Sequence, residues 1–426
     1  MKLIEHILAK ENVREALNRV VSNKGAAGID GMKVEDLRVY MNENWPGIKQ
    51  SILERGYKPA PVRRVEIPKP NGGVRKLGIP TVVDRTIQQS IVQILTPIFE
   101  EEFQENSYGF RPGRSCGQAV LKLMEYLNEG AEWIVDIDLE KFFDNVPQDK
   151  LMSYVGRVIH DPGTESLIRK YLKSGVMENG IYSATELGTP QGGNLSPLLS
   201  NIMLNELDKE LVRRGLRYVR YADDCVIAVG SEASAQRVMH TITRWIERVL
   251  GLKVNATKTH VCRPGKLKYL GFGFYKSSQT GQWAARPHES SVDRFKGKLK
   301  KLCKRSWSIS MTDRIQLLNY IILGWVNYFA IASMKGKMKE TDEHLRTMLR
   351  KVIWKQWKTP KKRAWGLRKL GINNDLAKLT SYCGDRYEWI VRRTCVARAI
   401  SKEVLTRRGL VSCLDYYTIR HSLKTN

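Results

Sequence analysis

The sequence predicts an α+β protein with an appended helical module, on three observations. Short strand-like segments alternate with amphipathic helical stretches up to about residue 275, and after about residue 285 the pattern is helical throughout. The 426 residues suffice for roughly three domains, and 42% hydrophobic with 27% charged residues is an ordinary globular composition. Charge is divided unevenly: of a net +27, the segment 291–426 holds 31 basic against 10 acidic residues. A near-balanced front and a strongly basic tail imply a polyanionic partner, either nucleic acid or an acidic membrane surface.

In chain order, residues 1 to about 60 read as helices interrupted by the loop Asn23–Gly31, whose three glycines mark backbone that bends or lies close to a neighbour. Arg63–Thr81 alternates apolar and polar residues on both sides of a Pro70-Asn71-Gly72-Gly73 turn, a hairpin carrying Arg63, Arg64, Lys69, Arg75 and Lys76. Helical periodicity returns over 82–105 and 115–128. Trp133–Leu139 is a strand running into a turn, and a helical pattern continues to about residue 173. A loop at 187–197 leads to a helix over Pro197–Arg214. Leu216–Gly230 then presents two apolar-alternating arms around an Asp223-Asp224 tip. A helix at 232–250 and short strands near 253–275 complete the mixed region.

Several classes are excluded. The seven cysteines stand at least twelve positions apart, without a Cys-x-x-Cys pair. Neither a zinc site nor a disulfide framework is expected, and a reducing cytosol is. The first residues, charged at Lys2 and Glu5, read as an amphipathic helix and not as a secretory signal. Ile315–Met334 is twenty residues without a formal charge, about the length of a bilayer span. Leu318, Ile322, Trp325 and Phe329 recur there at helical spacing among Gln316, Asn319 and Asn327, which describes a helix buried on one face. No membrane partner is expected.

The sharpest feature is the Asp223-Asp224 pair. Adjacent carboxylates between apolar arms repel each other unless cations neutralise them. Asp138 lies 85 positions upstream, at the end of another apolar strand, with Phe143 at the fifth position after it. Two strand ends presenting carboxylates side by side make an oxygen-rich site suited to Mg²⁺, which takes carboxylates, substrate phosphates and waters. Two such ions about 4 Å apart can activate an attacking hydroxyl and stabilise a leaving group. Phosphoryl transfer asks little else of a protein beyond positioning and positive charge. Lys69 and Arg75 on the basic hairpin would supply that charge; the alternative for both is a solvated surface.

Asp138 with Phe143, the segment Gly188–Pro197 (Gly-Thr-Pro-Gln-Gly-Gly-Asn-Leu-Ser-Pro), Tyr221-Ala222-Asp223-Asp224 and Leu267–Phe272 stand in the order of the reverse transcriptase motifs. Together with the Gly25–Gly31 loop, Ser107–Pro112 (Ser-Tyr-Gly-Phe-Arg-Pro) and Gly324–Phe329 (Gly-Trp-Val-Asn-Tyr-Phe), they make the chain resemble the bacterial group II intron-encoded reverse transcriptases and maturases over essentially its whole length. The resemblance implies a right-hand polymerase fold. An N-terminal extension and fingers would occupy 1–85, and a palm with an antiparallel sheet 86–285, with further fingers segments at about 145–187. A helical thumb or maturase domain would follow over 286–365, then a small helical DNA-binding region over 366–426. The implied activity is RNA-directed DNA synthesis that copies the intron RNA into cDNA, with assistance to splicing and retrohoming.

By the same resemblance, Asp138, Asp223 and Asp224 match the catalytic, metal-binding carboxylates for two Mg²⁺ ions, with Mn²⁺ as a substitute and the Leu139 carbonyl as a further contact. Lys69, Arg75, Phe143 and Gln191 match dNTP-binding residues, Phe143 being either the wall that a ribose 2′-hydroxyl would strike or plain core. Tyr269, Leu270, Gly271 and Phe272 match the primer grip. Lys258 matches a position proposed to protonate pyrophosphate, against the alternative of an exposed lysine. Lys298, Lys300, Lys301 and Lys304, on a helix with apolar Phe295, Leu299 and Leu302, match a thumb helix tracking an RNA–DNA duplex. Trp354 and Trp357 belong either to such a surface or to the core. The implied partners are intron RNA, an RNA template with its DNA primer, target DNA and dNTPs, in the bacterial cytosol or nucleoid. Longer members carry a C-terminal endonuclease with histidines and paired cysteines. After Leu345 only His421 and three separated cysteines occur here, so no DNA-cutting domain is expected. Two alternatives stay open: a non-catalytic RNA-binding splicing cofactor, and a domesticated reverse transcriptase of a defence or diversity-generating system.

Overall fold

A computed structural model describes residues 2–68 and 72–425 of the chain. Strands and helices mix as the sequence predicts, in two compact units, Met1–Pro264 and Gly265–Asn426.

In the first unit the basic segment forms β1 (Val62–Pro68) and β2 (Val74–Ile79), paired antiparallel from Arg63 opposite Ile79 to Pro68 opposite Val74. Lys69, Pro70 and Asn71 lie outside the described residues. The remaining strands of the unit are β3 (Trp133–Ile137), β4 (Val176–Glu178), β5 (Ile181–Ser183), β6 (Arg217–Tyr221), β7 (Asp224–Val229) and β8 (His260–Cys262). They make two four-stranded sheets, ordered β2-β1-β4-β5 and β6-β7-β3-β8. The second is antiparallel throughout, with β3 and β7 at its centre. Ile134, Val135 and Ile137 on β3, and Val226 and Ile227 on β7, are all buried, as strands covered on both faces must be.

Two long helices contribute to that core. Val82–Glu100 begins where Thr81 accepts a hydrogen bond from the Asp84 amide, and buries Ile87, Ile91, Leu95 and Phe99 at four-residue spacing. Ser196–Arg213 buries Leu199, Met203, Leu207 and Leu211 in the same way. Both share one apolar cluster with Val135, Ile137 and Ile227. The sequence pattern marks no element over residues 174–186, whereas the structure forms β4 and β5 there. These strands are three residues long, and β4 pairs in parallel with β1 (Val62 opposite Val176), more than a hundred positions away. No local pattern encodes such a pairing.

In the second unit β9 (Lys268–Tyr269), β10 (Phe272–Lys276) and β11 (Trp283–Pro287) form a three-stranded antiparallel sheet. Helices Glu289–Leu302, Met311–Phe329 and Lys335–Gln356 follow, then shorter ones. Met311–Phe329 buries Ile315, Leu318, Ile322, Val326 and Phe329 on one side. Among the described residues no helix is long and apolar enough to cross a membrane. Trp354 is fully buried, with its indole donating to the Gly384 carbonyl (3.1 Å) and Arg363 over its ring, so it belongs to the core. Lys304 lies past the end of the Glu289–Leu302 helix instead of on it.

Candidate active site

The carboxylates are brought together by strand register. β3 runs antiparallel to β7 with Ile137 opposite Cys225, so the next residues, Asp138 and Asp224, leave adjoining strand ends. Asp223 sits in the two-residue turn joining β6 to β7, where Tyr221 pairs with Asp224. The other turn residue, Ala222, has φ 57°, a region side-chain-bearing residues seldom adopt.

That strained turn is held from two sides. Arg220 is fully buried, and its guanidinium donates to the Ala222 carbonyl (2.8 Å), Ser107 Oγ (2.7 Å), Asn201 Oδ1 (3.1 Å) and the Asp208 carboxylate (2.8 Å). Alongside, residues 106–109 run against β6. The Tyr108 amide donates to the Arg220 carbonyl and the Arg220 amide to the Asn106 carbonyl, both at 2.9 Å. Gly109 then meets the turn so closely that a β-carbon there would lie 2.2 Å from the Ala222 nitrogen. The Ser107–Pro112 motif is therefore the back wall of the Asp-Asp turn. Sequence reasoning missed Arg220, Asp208 and Asn201. The available signal was an arginine between Val219 and Tyr221 on a strand of the mixed region, which has to find a carboxylate if it points inward.

The electrostatics follow from the crowding. The Asp224 side chain surfaces at the strand end, yet it is pushed up to about 7, by lost hydration first and then by repulsion from Asp223, Asp136 and Asp138. Burial also raises Asp223, and Asp138 adds to it, while Arg75 and Arg220 oppose the rise. Asp136 was not singled out from the sequence. It lies two residues before Asp138, hence on the same face of β3, and burial pushes it up to about 6 against the pull of His260. Lys258 Nζ stands 3.2 Å from Asp138 Oδ2. The Asp138 backbone is fixed as well, its amide donating to Thr259 Oγ1 (3.1 Å) and its carbonyl accepting from the Asn255 amide (2.8 Å).

An all-oxygen, mutually repelling donor set fits a hard divalent cation. Among the described residues no three His, Cys, Asp or Glu side chains already close around one point. Mg²⁺ does not require that, since one or two carboxylates suffice when phosphates and waters fill its shell.

Other expected residues gather through the loop 188–194. The Phe143 carbonyl accepts from the Thr189 amide, and the Gln191 carbonyl from the Gly78 amide, each at 2.7 Å. The loop thus ties the short helix Phe142–Asn145 to β2, the strand that carries Arg75. The Phe143 ring is half-buried and meets Phe142 edge-on at 5.2 Å. Lys69 falls outside the described residues.

The Tyr269–Phe272 segment belongs to the second unit. Leu270 (φ 50°) and Gly271 (φ 82°) form a two-residue turn between β9 and β10. The Leu270 carbonyl accepts from the Tyr328 hydroxyl (2.9 Å), and the Gly271 carbonyl from Ser291 Oγ (2.9 Å). In the same unit Lys298, Lys300 and Lys301 are exposed on a helix that buries Phe295 and Leu299.

A reverse transcriptase (RNA-dependent DNA polymerase) family model matches residues 67–274, and a group II intron, maturase-specific domain model matches 292–371. The protein YkfC of Escherichia coli is 34% identical over 300 residues, 61% of this chain and 79% of that protein. The chain belongs to the group II intron reverse transcriptase and maturase family. The group II intron-encoded protein LtrA of Lactococcus lactis is 40% identical over 220 residues, 51% of this chain but 36% of LtrA. The putative COX1/OXI3 intron 2 protein of Saccharomyces cerevisiae is 27% identical over 335 residues, 64% of this chain and 38% of its own length. The chain therefore spans less than two fifths of these two relatives. A chain of a Cas6-RT-Cas1–Cas2 complex is 20% identical and covers 58% of this chain and 43% of its own, at a TM-score of 0.37, too low to bear on the fold. As a reverse transcriptase the chain has the α+β right-hand polymerase fold, with β6-β7-β3-β8 as its antiparallel palm sheet.

Proposed function

We propose that the chain copies group II intron RNA into DNA and binds that RNA to assist its splicing and mobility. The convergence of Asp138, Asp223 and Asp224 at adjoining strand ends, where burial and then repulsion raise Asp223 and Asp224, carries the polymerase half of this reading. Reverse transcriptase domains work with divalent metal. Two Mg²⁺ ions held by these carboxylates, with Mn²⁺ as a substitute, would activate the primer 3′-hydroxyl and stabilise the departing pyrophosphate. Asp223 and Asp224 are kept in place by the Arg220-braced turn. Lys258 faces Asp138 at salt-bridge distance and could release a proton toward the leaving group. Arg75 and Lys69 would hold the triphosphate, Phe143 would exclude ribose, and Gln191 would line the nascent pair.

Fingers over 1–85, palm over 86–285, thumb over 286–365 and a DNA-binding region over 366–426 complete the assignment. Tyr269–Phe272 would seat the primer end, and Lys298, Lys300, Lys301 and Lys304 would track the duplex. The maturase-specific match over 292–371 supports the intron RNA as partner over a defence or diversity-generating role. The carboxylates speak against a dead polymerase, because a pure RNA binder has no use for clustered repelling charges. The test is Asp223→Asn in primer extension on an RNA template with Mg²⁺. Extension should vanish while RNA affinity holds, since removing negative charge cannot weaken attraction to a polyanion. Extension near the wild-type rate overturns the assignment.

A further inference from the structure

Phe143, the residue assigned to meet a ribose, stands on very little helix of its own. It lies in Phe142–Asn145, entered through a left-handed Lys141 (φ 43°) and left through an extended Val146. So short a helix does not hold itself in water, and the place of Phe143 is set by what grips its backbone. Phe142 is buried on one side. The other grip is the loop 188–194: the Thr189 amide donates to the Phe143 carbonyl (2.7 Å) and the Gly188 amide to the Val146 carbonyl (2.8 Å). Gly188 has φ 86°, and a β-carbon on it would lie 2.6 Å from the Phe143 carbonyl oxygen and 2.9 Å from that of Asp144. Only glycine admits this approach.

The loop needs an anchor in turn, and Gln148 supplies it. This side chain, 4% exposed, belongs to the first turn of the Gln148–Ile159 helix. Its Nε2 donates to the Gly188 carbonyl and to the Leu172 carbonyl, each at 3.0 Å. Leu172 is buried at the end of the Pro162–Leu172 helix, so the two bonds fasten the loop to the core. Gln148 Oε1 is buried without a hydrogen-bond partner. An unpaired buried acceptor is costly, so packing alone does not explain a glutamine here, and the two donations are its whole polar contribution. None of these bonds involves Asp138, Asp223 or Asp224.

We propose that Gln148 is a positioning residue for sugar selection, acting through Gly188 and Thr189 on Phe143. The proposal rests on the reading of Phe143 as the wall that a ribose 2′-hydroxyl strikes. With the donations in place the ring keeps one position, and the 2′-hydroxyl meets it. Without them the loop and the four-residue helix shift together and the wall recedes. Gln148 thus selects against ribonucleotides without touching a nucleotide.

The quantity to measure is kcat/KM for a deoxyribonucleotide divided by kcat/KM for the matching ribonucleotide, in single-nucleotide extension of a DNA primer on an RNA template, with thermal melts alongside. Gln148→Met nearly keeps the volume and removes both donations. An ordinary hydrogen bond biases a conformational equilibrium by roughly two- to tenfold, and the ratio should fall by a factor of that order. Gly188→Ala, pressing on the Phe143 carbonyl from the loop, should lower the ratio likewise and decides the matter if Gln148→Met does not fold. Phe143→Ala should lower it further. Adding Gln148→Met to Phe143→Ala should then change the ratio no more, because the ring it acts through is gone. A Gln148 that serves stability alone would lower the melting temperature and both rates together and leave the ratio where it was. That result, or an equal further fall in the Phe143→Ala background, overturns the proposal while leaving the wall reading standing. An unchanged ratio for Phe143→Ala itself would sink the wall reading, and the role of Gln148 with it.

Discussion

Replacing Gly109 with alanine adds one methyl group behind the Ala222-Asp223 turn, and it should nearly stop DNA synthesis. The added carbon would lie 2.2 Å from the Ala222 nitrogen, 2.9 Å from the Tyr221 carbonyl carbon and 3.0 Å from the Ala222 Cα, all backbone atoms, where ordinary contact begins at 3.4 Å. Something must move by roughly 1.2 Å, the gap between those two distances. The 106–109 segment cannot easily yield, because the Tyr108 amide is bonded to β6 and the Gly109 carbonyl accepts from Asn201 Nδ2 at 2.8 Å. The displacement therefore falls on the Ala222-Asp223 turn and carries the carboxylates with it. Misplacing a reacting group by about 1 Å can cost about a hundredfold in rate, while overpacking costs about 1–3 kcal/mol of stability. Single-turnover nucleotide addition on a pre-formed primer–template, paired with thermal melts, separates the two effects. Gly47→Ala, in the Leu37–Leu53 helix with nothing within 4 Å, should extend normally and gain up to about 1 kcal/mol. A Gly109→Ala protein that adds nucleotides at the wild-type rate would refute the back-wall argument.

Asp224 makes the metal-free protein pH-sensitive in a defined direction. Its carboxyl ionises near 7 when folded against an ordinary 3.8, so the folded state holds a proton the unfolded state has lost, and its contribution to stability falls as pH rises from about 4 to about 7. Divalent cations compete with that proton, so metal affinity should climb over the same interval and level off above it. Melts with and without Mg²⁺ across this range check both effects, and Asp224→Asn should remove its share; a metal affinity independent of pH would contradict the assignment. Phe143→Ala should raise ribonucleotide incorporation relative to deoxyribonucleotides in single-nucleotide extension, and unchanged discrimination would leave Phe143 as core. Replacing Lys298, Lys300, Lys301 and Lys304 with glutamine should flatten the log–log salt dependence of RNA binding by up to about 3 units. Equal slopes would make that face merely solvated.

The division between what was legible in the chain and what was not follows the reach of each interaction. Alternating apolar arms around Asp223-Asp224, and an apolar strand ending at Asp138, are local patterns with the two-residue period of β structure, so both carboxylate-bearing strand ends could be read directly. The basic hairpin and the one-sided helix over Met311–Phe329 were legible for the same reason. Tertiary structure alone decided the rest. Arg220 finds Asp208 twelve positions back and Ser107 more than a hundred back. Gly109 gains its meaning only where it touches Ala222, and the hairpin of β4 and β5 joins a larger sheet only because β1 lies beside β4. Trp354, beside Trp357 among lysines, could have been surface or core until the Gly384 carbonyl closed over it. Periodicity along the chain records which face of an element is buried. It does not record which distant residue does the burying, because that partner is chosen by packing in three dimensions, and the burial that lifts Asp224 toward neutrality exists only once those partners have met.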